Sequence, residues 1–261
     1  MPSIELEYPK QPYSKVKRYD SRASYALETI HEIINTSPIL HVSFNIPDSP
    51  FPMVLPMIGQ MGSFERPSAD TGDVLELYLH GYVSSRLMNL ARKQPSQQEE
   101  GEKGLPITVA ASHVDGLVLS LTPNSHSYNY RSAVLFGRAE LVDDPEEKLY
   151  AMRLITDSVV RGRYENTRNP PTPAETQSTA ILRLRPAAGS AKVRSGGPSD
   201  DRADTADGAL LERVWTGVVP LRCEAGDPLP GPYNRVAEVP GYLEEWRRGF
   251  NEEMGRRRGG V

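Results

Sequence analysis

Cysteine is almost missing from these 261 residues: Cys223 is the only one. A lone thiol builds no intramolecular disulfide and no cysteine-based zinc site, and nothing around it marks it as activated, so it reads as passive. Long apolar runs are missing too, as is an apolar core near the N-terminus, so neither a membrane span nor a secretory leader is expected. The cytoplasm is then the default location, with no membrane partner. Charge of one sign is not in excess: 30 Lys and Arg against 34 Asp and Glu leave −4, which speaks against a nucleic-acid partner held by overall charge. No Walker-type loop, GxGxxG fingerprint, Ser-His-Asp pattern, paired carboxylates or internal repeat is present. What is present is 38% hydrophobic residues spread along the chain, enough to core one large domain or two small ones.

Residues 1–19 are polar and carry Pro2, Pro9 and Pro12, the composition of an extended arm over the surface. Asp20 or Ser21 can cap a helix whose inner face is Ala26, Leu27, Ile30, Ile33 and Ile34, stopped by Ser37 and Pro38. Strands are expected at 40–45, 52–60, 74–79, 106–112, 116–121, 133–142, 179–185 and 213–221, with a hairpin turn at Asp115 and Gly116. Pro52 and Pro56 inside the second of these imply an edge, a bulge, or a ligand in place of a neighbouring strand. Asp144 caps a further helix: Pro145 lies in its first turn, Glu147 completes a capping box, and Leu149, Met152, Ile155 and Val159 follow at helical spacing. That helix reads as packing. Residues 94–104 look like a polar insertion and 187–207, rich in Gly, Ser and Asp, like a mobile loop. A last helix is expected at 242–256, with the arginines of 256–258 as a solvated tail. Some seven strands in hairpin-like succession with two or three helices predict a mainly β fold, a β-barrel with helical covers, rather than a parallel α/β sheet. The arm (1–19), barrel (20–235) and C-terminal helix with basic tail (236–261) are the expected divisions.

Residues 75–92, LELYLHGYVSSRLMNLAR, carry the most chemistry. Leu75, Leu77 and Leu79 alternate with Glu76, Tyr78 and His80 as in a half-buried strand. After Gly81, Ser84 or Ser85 can cap a helix that begins with Arg86 and shows Leu87 and Leu90 on one face. Unpaired N–H groups, the positive end of the helix dipole, two hydroxyls and a guanidinium would cradle a phosphate. The plain alternative is a strand–turn–helix with a solvated arginine.

With its neighbours, that stretch resembles a known family. HVSFNIPDSPFPMVLPM, LYLHGYVSSRLMNLAR, HSYNYRSAVLFGRAELVDDPEEK, RGRYENTRNPPTPAETQST, SAKVRSGGPSDD and VWTGVVPL follow one another as in the pyridoxamine 5′-phosphate oxidase-like flavin-binding split barrels. The branch with nitroimidazole-resistance-type proteins is the nearer one. The resemblance implies a six-stranded antiparallel FMN-binding split barrel, a homodimer, and a flavin at the subunit interface. It gives Ser84, Ser85 and Arg86 to the FMN phosphate, lays the backbone of Val54, Leu55, Pro56 and Met57 along the isoalloxazine, and puts His80 and Gly81 beside the ribityl chain. Tyr130, Arg131 and Ser132 match a strand start that supplies polar groups, from the other subunit; Lys192 and Arg194 match a basic motif that reaches the phosphate, and Trp215 would wall the ring. Tyr130 and Trp215 are equally readable as core or interface aromatics, and Arg131 as one half of an ion pair. Arg18 and Arg22 resemble the family's basic N-terminal stretch but read as a solvated helix start, and His31, His41 and His113 as structural. The vitamin B6 oxidases have a lysine where this chain has Met57, and their Arg–Leu–His signature has no counterpart in GPYNRVAEVPGYLEEW, so oxidation of pyridoxamine phosphate is not the expected activity.

Three functions follow. The first is an FMN-dependent oxidoreductase acting on a small molecule, the flavin doing the redox chemistry and His80 and Tyr130 the candidates for proton transfer. The second is a haem protein of the same barrel, with His80 or His126 as axial ligand. The third is a flavin carrier without catalysis. None of the three calls for a metal ion outside the haem.

Overall fold

Alternating burial builds most of this fold. The computed structural model describes residues 5–94 and 103–256; most of the expected insertion at 94–104, and Arg257 and Arg258 of the tail, lie outside the described residues. The chain divides into two units, Met1–Ser112 with Ser132–Lys192, and His113–Arg131 with Val193–Val261. The strands are β1 (Ala23–Ser24), β2 (Leu40–Phe44), β3 (Met53–Met57), β4 (Gly59–Gly62), β5 (Glu76–Tyr82), β6 (Leu105–Leu119), β7 (Ser127–Leu141), β8 (Thr179–Arg194) and β9 (Gly217–Pro220). The helices are α1 (Leu27–Thr36), α2 (Arg86–Arg92), α3 (Pro145–Val159), α4 (Pro173–Ser178), α5 (Arg202–Thr205), α6 (Gly208–Arg213) and α7 (Gly241–Arg256).

The sheet runs β3-β2-β6-β7-β8-β5-β4, with β1 on β8 and β9 on β6. Its two end strands, β3 and β4, are separated in sequence by Ile58 alone. Two Cα steps span at most about 7.6 Å, so the path curls until its ends meet, although no ladder joins them. This is a mainly antiparallel barrel left split at one seam, with nine strands among the described residues where six were expected.

In β2, Leu40, Val42 and Phe44 are buried while His41 and Ser43 face outward; β3 pairs with them in register, Val42 opposite Leu55 and Ser43 opposite Val54. Leu77 and Leu79 of β5 meet Leu184 and Leu182 of β8 on the same inner side. Burying such side chains contributes about 1.5–3 kcal/mol each. Outside, Tyr78 and Ile181 pack under Ala151 and Ile155 of α3. The face of α1 is as the spacing predicts, Leu27, Ile30, Ile33 and Ile34 all being buried beside Ala26. The arm is tied down rather than loose: Tyr8 donates its N–H to the Tyr25 carbonyl (2.8 Å) and its hydroxyl meets His31 Nε2 (2.6 Å). In the second unit, β9 pairs with the 116–119 end of β6, and on α7 Trp246 stacks on Phe250.

Several expectations need correction. Asp115 and Gly116 make no hairpin turn; β6 runs straight through them for 15 residues. Strand pairing on both sides outweighs the local preference of Asp-Gly for a turn. Residues 52–60 form two strands, not one. Neither Asp20 nor Ser21 caps α1, whose cap position is Ala26; residues Asp20–Arg22 are a short 3-10 turn. On α3 the buried positions are Glu147, Ala151 and Ile155, whereas Leu149 and Val159 are exposed, because α3 lies over the hydroxyl of Tyr78 as well as over apolar surface. Asp144 does cap that helix, accepting from the N–H groups of Glu146 and Glu147, but Glu147 turns away to Tyr78 instead of closing the box. The expected loop at 187–207 is β8 up to Arg194 and then α5. Its small residues are needed there: a Cβ at Gly189 would stand 2.9 Å from Tyr8 and 3.1 Å from Leu135.

Candidate functional site

The β5–α2 corner arises because β5 ends in a turn that Ser85 converts into a helix start. Ser85 is extended at φ −62°, ψ 152°, and its Oγ accepts from the Met88 N–H at 3.5 Å. The next two N–H groups, of Arg86 and Leu87, have no helical acceptor behind them. Asn89 Nδ2 donates to the Ser84 carbonyl, leaving the Ser84 side chain exposed. Arg86 is exposed, and among the described residues it has no ion-pair partner. One strand residue earlier, Gly81 opens the corner: a Cβ there would lie 2.9 Å from Met88 Cε and 3.9 Å from both Met57 Cε and Ser85 Oγ. The fold therefore brings Met57 to Gly81 and Ser85, an expected site residue more than 20 positions away in sequence from the other two. His80 is exposed on the outer face of β5, and no hydrogen-bond partner occupies its ring among the described residues.

β3 presents its residues alternately. Val54 and Pro56 face outward, Val54 being 52% exposed, and Leu55 and Met57 face the barrel interior. Among the described residues no strand lies along the outer edge of β3, so the prolines sit on a sheet margin, as their missing N–H groups require.

The remaining candidates lie elsewhere. Ser132 Oγ donates to the Lys192 carbonyl at 3.2 Å, and Lys192 Nζ donates to the Arg18 carbonyl at 2.8 Å. Lys192 stands opposite Ala23 on β8, whereas Ala180, 12 positions earlier, stands opposite Gly81. That is about 40 Å of extended strand at ~3.3 Å per residue. Lys192 and Gly81 thus mark two ends of β8.

In the second unit Arg131 forms a two-pronged pair with Asp115, Nε to Oδ2 and Nη2 to Oδ1 at 2.9 Å each. Arg194 is buried, donating to Asn129 Oδ1 at 2.5 Å and to the Gly197 carbonyl at 3.1 Å. Trp215 is 65% exposed and bends back over Gly217. Tyr130 is half-buried. His126 accepts from the Ser120 N–H at Nδ1 (2.9 Å), which fixes the neutral ring with its proton on Nε2. Asp115 and Met88 escaped the sequence reading: the first looked like a turn residue, and the second was simply one more apolar residue on a helix.

Residues 27–193 match the family described as pyridoxamine 5′-phosphate oxidase. There is similarity to the flavocytochrome Anf3 from Azotobacter vinelandii, with 31% identity, 91% of this chain and 97% of that chain covered, and a TM-score of 0.73. The FAD and haem binding protein from Mycobacterium smegmatis is similar at 28% identity, 87% and 97% coverage, and a TM-score of 0.69. Among curated proteins none matches the sequence.

Proposed function

This chain belongs to the pyridoxamine 5′-phosphate oxidase family, and from that premise we propose that it is a flavin-binding oxidoreductase holding FMN between two copies of itself. The observation that carries the reading is the β5–α2 corner. There a glycine, a capped helix start and an uncompensated arginine converge beside the free margin of β3. In this reading the N–H groups of Arg86 and Leu87, with the side chains of Ser84, Ser85 and Arg86, hold the phosphate. The absent side chain of Gly81 leaves room for the ribityl chain beside His80. The backbone of Val54, Leu55, Pro56 and Met57 then lies along the ring. A bound flavin supplies the two-electron chemistry.

The separation along β8 supports a shared site. Ser132 and Lys192 are too far from Gly81 along the strand to serve the same flavin within one copy, so they, with Tyr130, Arg131, Arg194 and Trp215, would reach it from the second copy. Arg131 would arrive already paired with Asp115, orienting rather than neutralising. His80 and Tyr130 would move protons.

A second reading, haem bound in addition to flavin, is favoured by the likeness, over most of the chain, to a flavocytochrome and to an FAD and haem binding protein. His80, with no partner at either nitrogen among the described residues, is the better axial ligand. His126 would offer iron a protonated Nε2.

An absorbance spectrum of the purified full chain tests both readings. Flavin bands are expected, with the released flavin identified by chromatography as FMN or FAD, and a Soret band that His80→Ala abolishes would establish haem. A chain that takes up neither FMN nor FAD ends the first reading. Flavin that no nicotinamide or small-molecule donor reduces would make the protein a carrier.

A further inference from the structure

We propose that a cavity on the outer face of the barrel, where β2, β6 and β7 begin or end beneath Tyr13, binds a small organic carboxylate with a single ring or branched apolar body. The cavity measures about 300 Å³. Ser43 and Thr108 are directly opposite in the β2–β6 ladder and so project from the same face. Arg138 and Phe136, alternate residues of β7, complete that face, with Asn45 at the end of β2. Tyr13 comes from the N-terminal arm and meets Phe136 edge-on, ring centroids 5.1 Å apart at 66°.

What singles this cavity out is its unspent polarity. Among the described residues the side chains of Ser43, Asn45, Thr108 and the Tyr13 hydroxyl make no hydrogen bond, and Arg138 makes one, from Nη1 to the Gly104 carbonyl at 3.2 Å. Asn45 and Tyr13 are exposed, but Ser43, Thr108 and Arg138 are half-buried, and polar groups withdrawn from water are usually paired. Here they converge on one hollow. No Asp or Glu lines it, so its charge is that of one guanidinium. A guanidinium offers parallel N–H donors that match the two oxygens of a carboxylate, and hydroxyls at Ser43 and Thr108 can donate to the same oxygens. The rings of Phe136 and Tyr13 suit a flat apolar body. A volume at the small end of ligand pockets admits one ring, not a flavin or a haem.

Titration of the full chain with benzoate, against benzamide as its uncharged counterpart, tests this without requiring any bound flavin, so its failure and that of the flavin reading are separable. Calorimetry is expected to show saturable benzoate binding, with benzamide weaker by ~10-fold or more. Arg138→Leu should cost benzoate about tenfold or more while leaving benzamide unchanged, and Tyr13→Ala should weaken both. Arg138→Lys, which keeps the charge but not the two-pronged geometry, should fall between. If Arg138→Leu does not fold by circular dichroism, the lysine variant and the benzoate–benzamide ratio on the unaltered chain decide. Absence of benzoate binding, equal binding of the amide, or indifference to both Arg138 variants overturns the proposal.

Discussion

Two patches on the outer face of the barrel treat polar groups in opposite ways. Beneath α3, Tyr78 donates to Glu147 Oε1 at 2.9 Å and Arg183 grips both oxygens of Glu147 at 2.8 and 3.0 Å. Burial, followed by the carboxylate beside it, pushes the Tyr78 hydroxyl pKa far up, so it stays a donor. Beneath Tyr13, Ser43, Thr108 and Arg138 also sit on the outer side of strands, yet they are left without protein partners apart from one carbonyl. The α3 patch thus uses most of its polar groups within the fold, although Arg183 Nε is buried there without a hydrogen-bond partner among the described residues, whereas the Tyr13 patch leaves its groups open where a ligand can complete them. Polar groups already paired within the fold stabilise it; those unpaired at a hollow are available for binding.

The strongest way to break this comparison is Glu147→Ala. It leaves a largely buried guanidinium with the more distant Glu140 carboxylate, 3.9 Å away, takes the acceptor from Tyr78, and should cost about 3–5 kcal/mol in urea unfolding. A loss under ~1 kcal/mol would mean that the α3 patch is no more committed than the open one. Acid comes next. Burial pushes the His31 pKa down to about 4 from 6.5, against the opposing pull of the Thr71 carbonyl that its Nδ1 meets at 2.8 Å. The unfolded chain takes up that proton first, so stability is whole above pH 6.5, falls between 6.5 and about 4, and levels off below. The loss should approach ~3 kcal/mol, and His31→Gln should flatten the slope. This probes the latch on the arm that carries Tyr13.

Gly137→Ala, beside the cavity, should cost about 1–3 kcal/mol or more. Its Cβ would stand 2.2 Å from the Arg185 carbonyl oxygen, which belongs to the backbone and cannot swing away. Gly81→Ala meets only the flexible tip of Met88 and should cost less, although it narrows the corner proposed for the ribityl chain; flavin affinity and thermal melting separate the two effects. Smallest of all is Arg138→Leu, expected within ~0.5 kcal/mol of the unaltered chain in the same urea experiment. A large loss there would place Arg138 with the closed patch rather than the open one.

Much of this was readable in advance. The face of α1, the cap at Ser85, the cap at Asp144 and the strands around the Leu77–Leu79 repeat are written in spacings of two to four residues, which local sterics and hydrogen bonding enforce. The proline-marked margin at Pro56 was legible for the same reason. Asp115 was misread because an Asp-Gly pair is a turn only when no strand claims it, and here Arg131, 16 residues on, and β9, a hundred residues on, both do. Glu147 was misread because a local box and a distant Tyr78–Arg183 pair competed for one carboxylate, and the buried pair won. Of the candidate site, Met57 stands beside the Gly81–Ser85 turn, while Lys192 lies at the far end of β8 from them.

The sequence by itself determined where α1, β2 and β5 lie and which of their side chains face inward, since those choices are made within a few bonds of the residue concerned. Only the tertiary structure decided that β3 and β4, one residue apart, would close opposite ends of the same sheet path, that α3 would bring the Glu147 carboxylate to Tyr78 and Arg183, and that Ser43, Thr108 and Arg138 would share a hollow. Those outcomes depend on partners brought together from far along the chain, and no local spacing encodes which distant group will arrive to cover a given face.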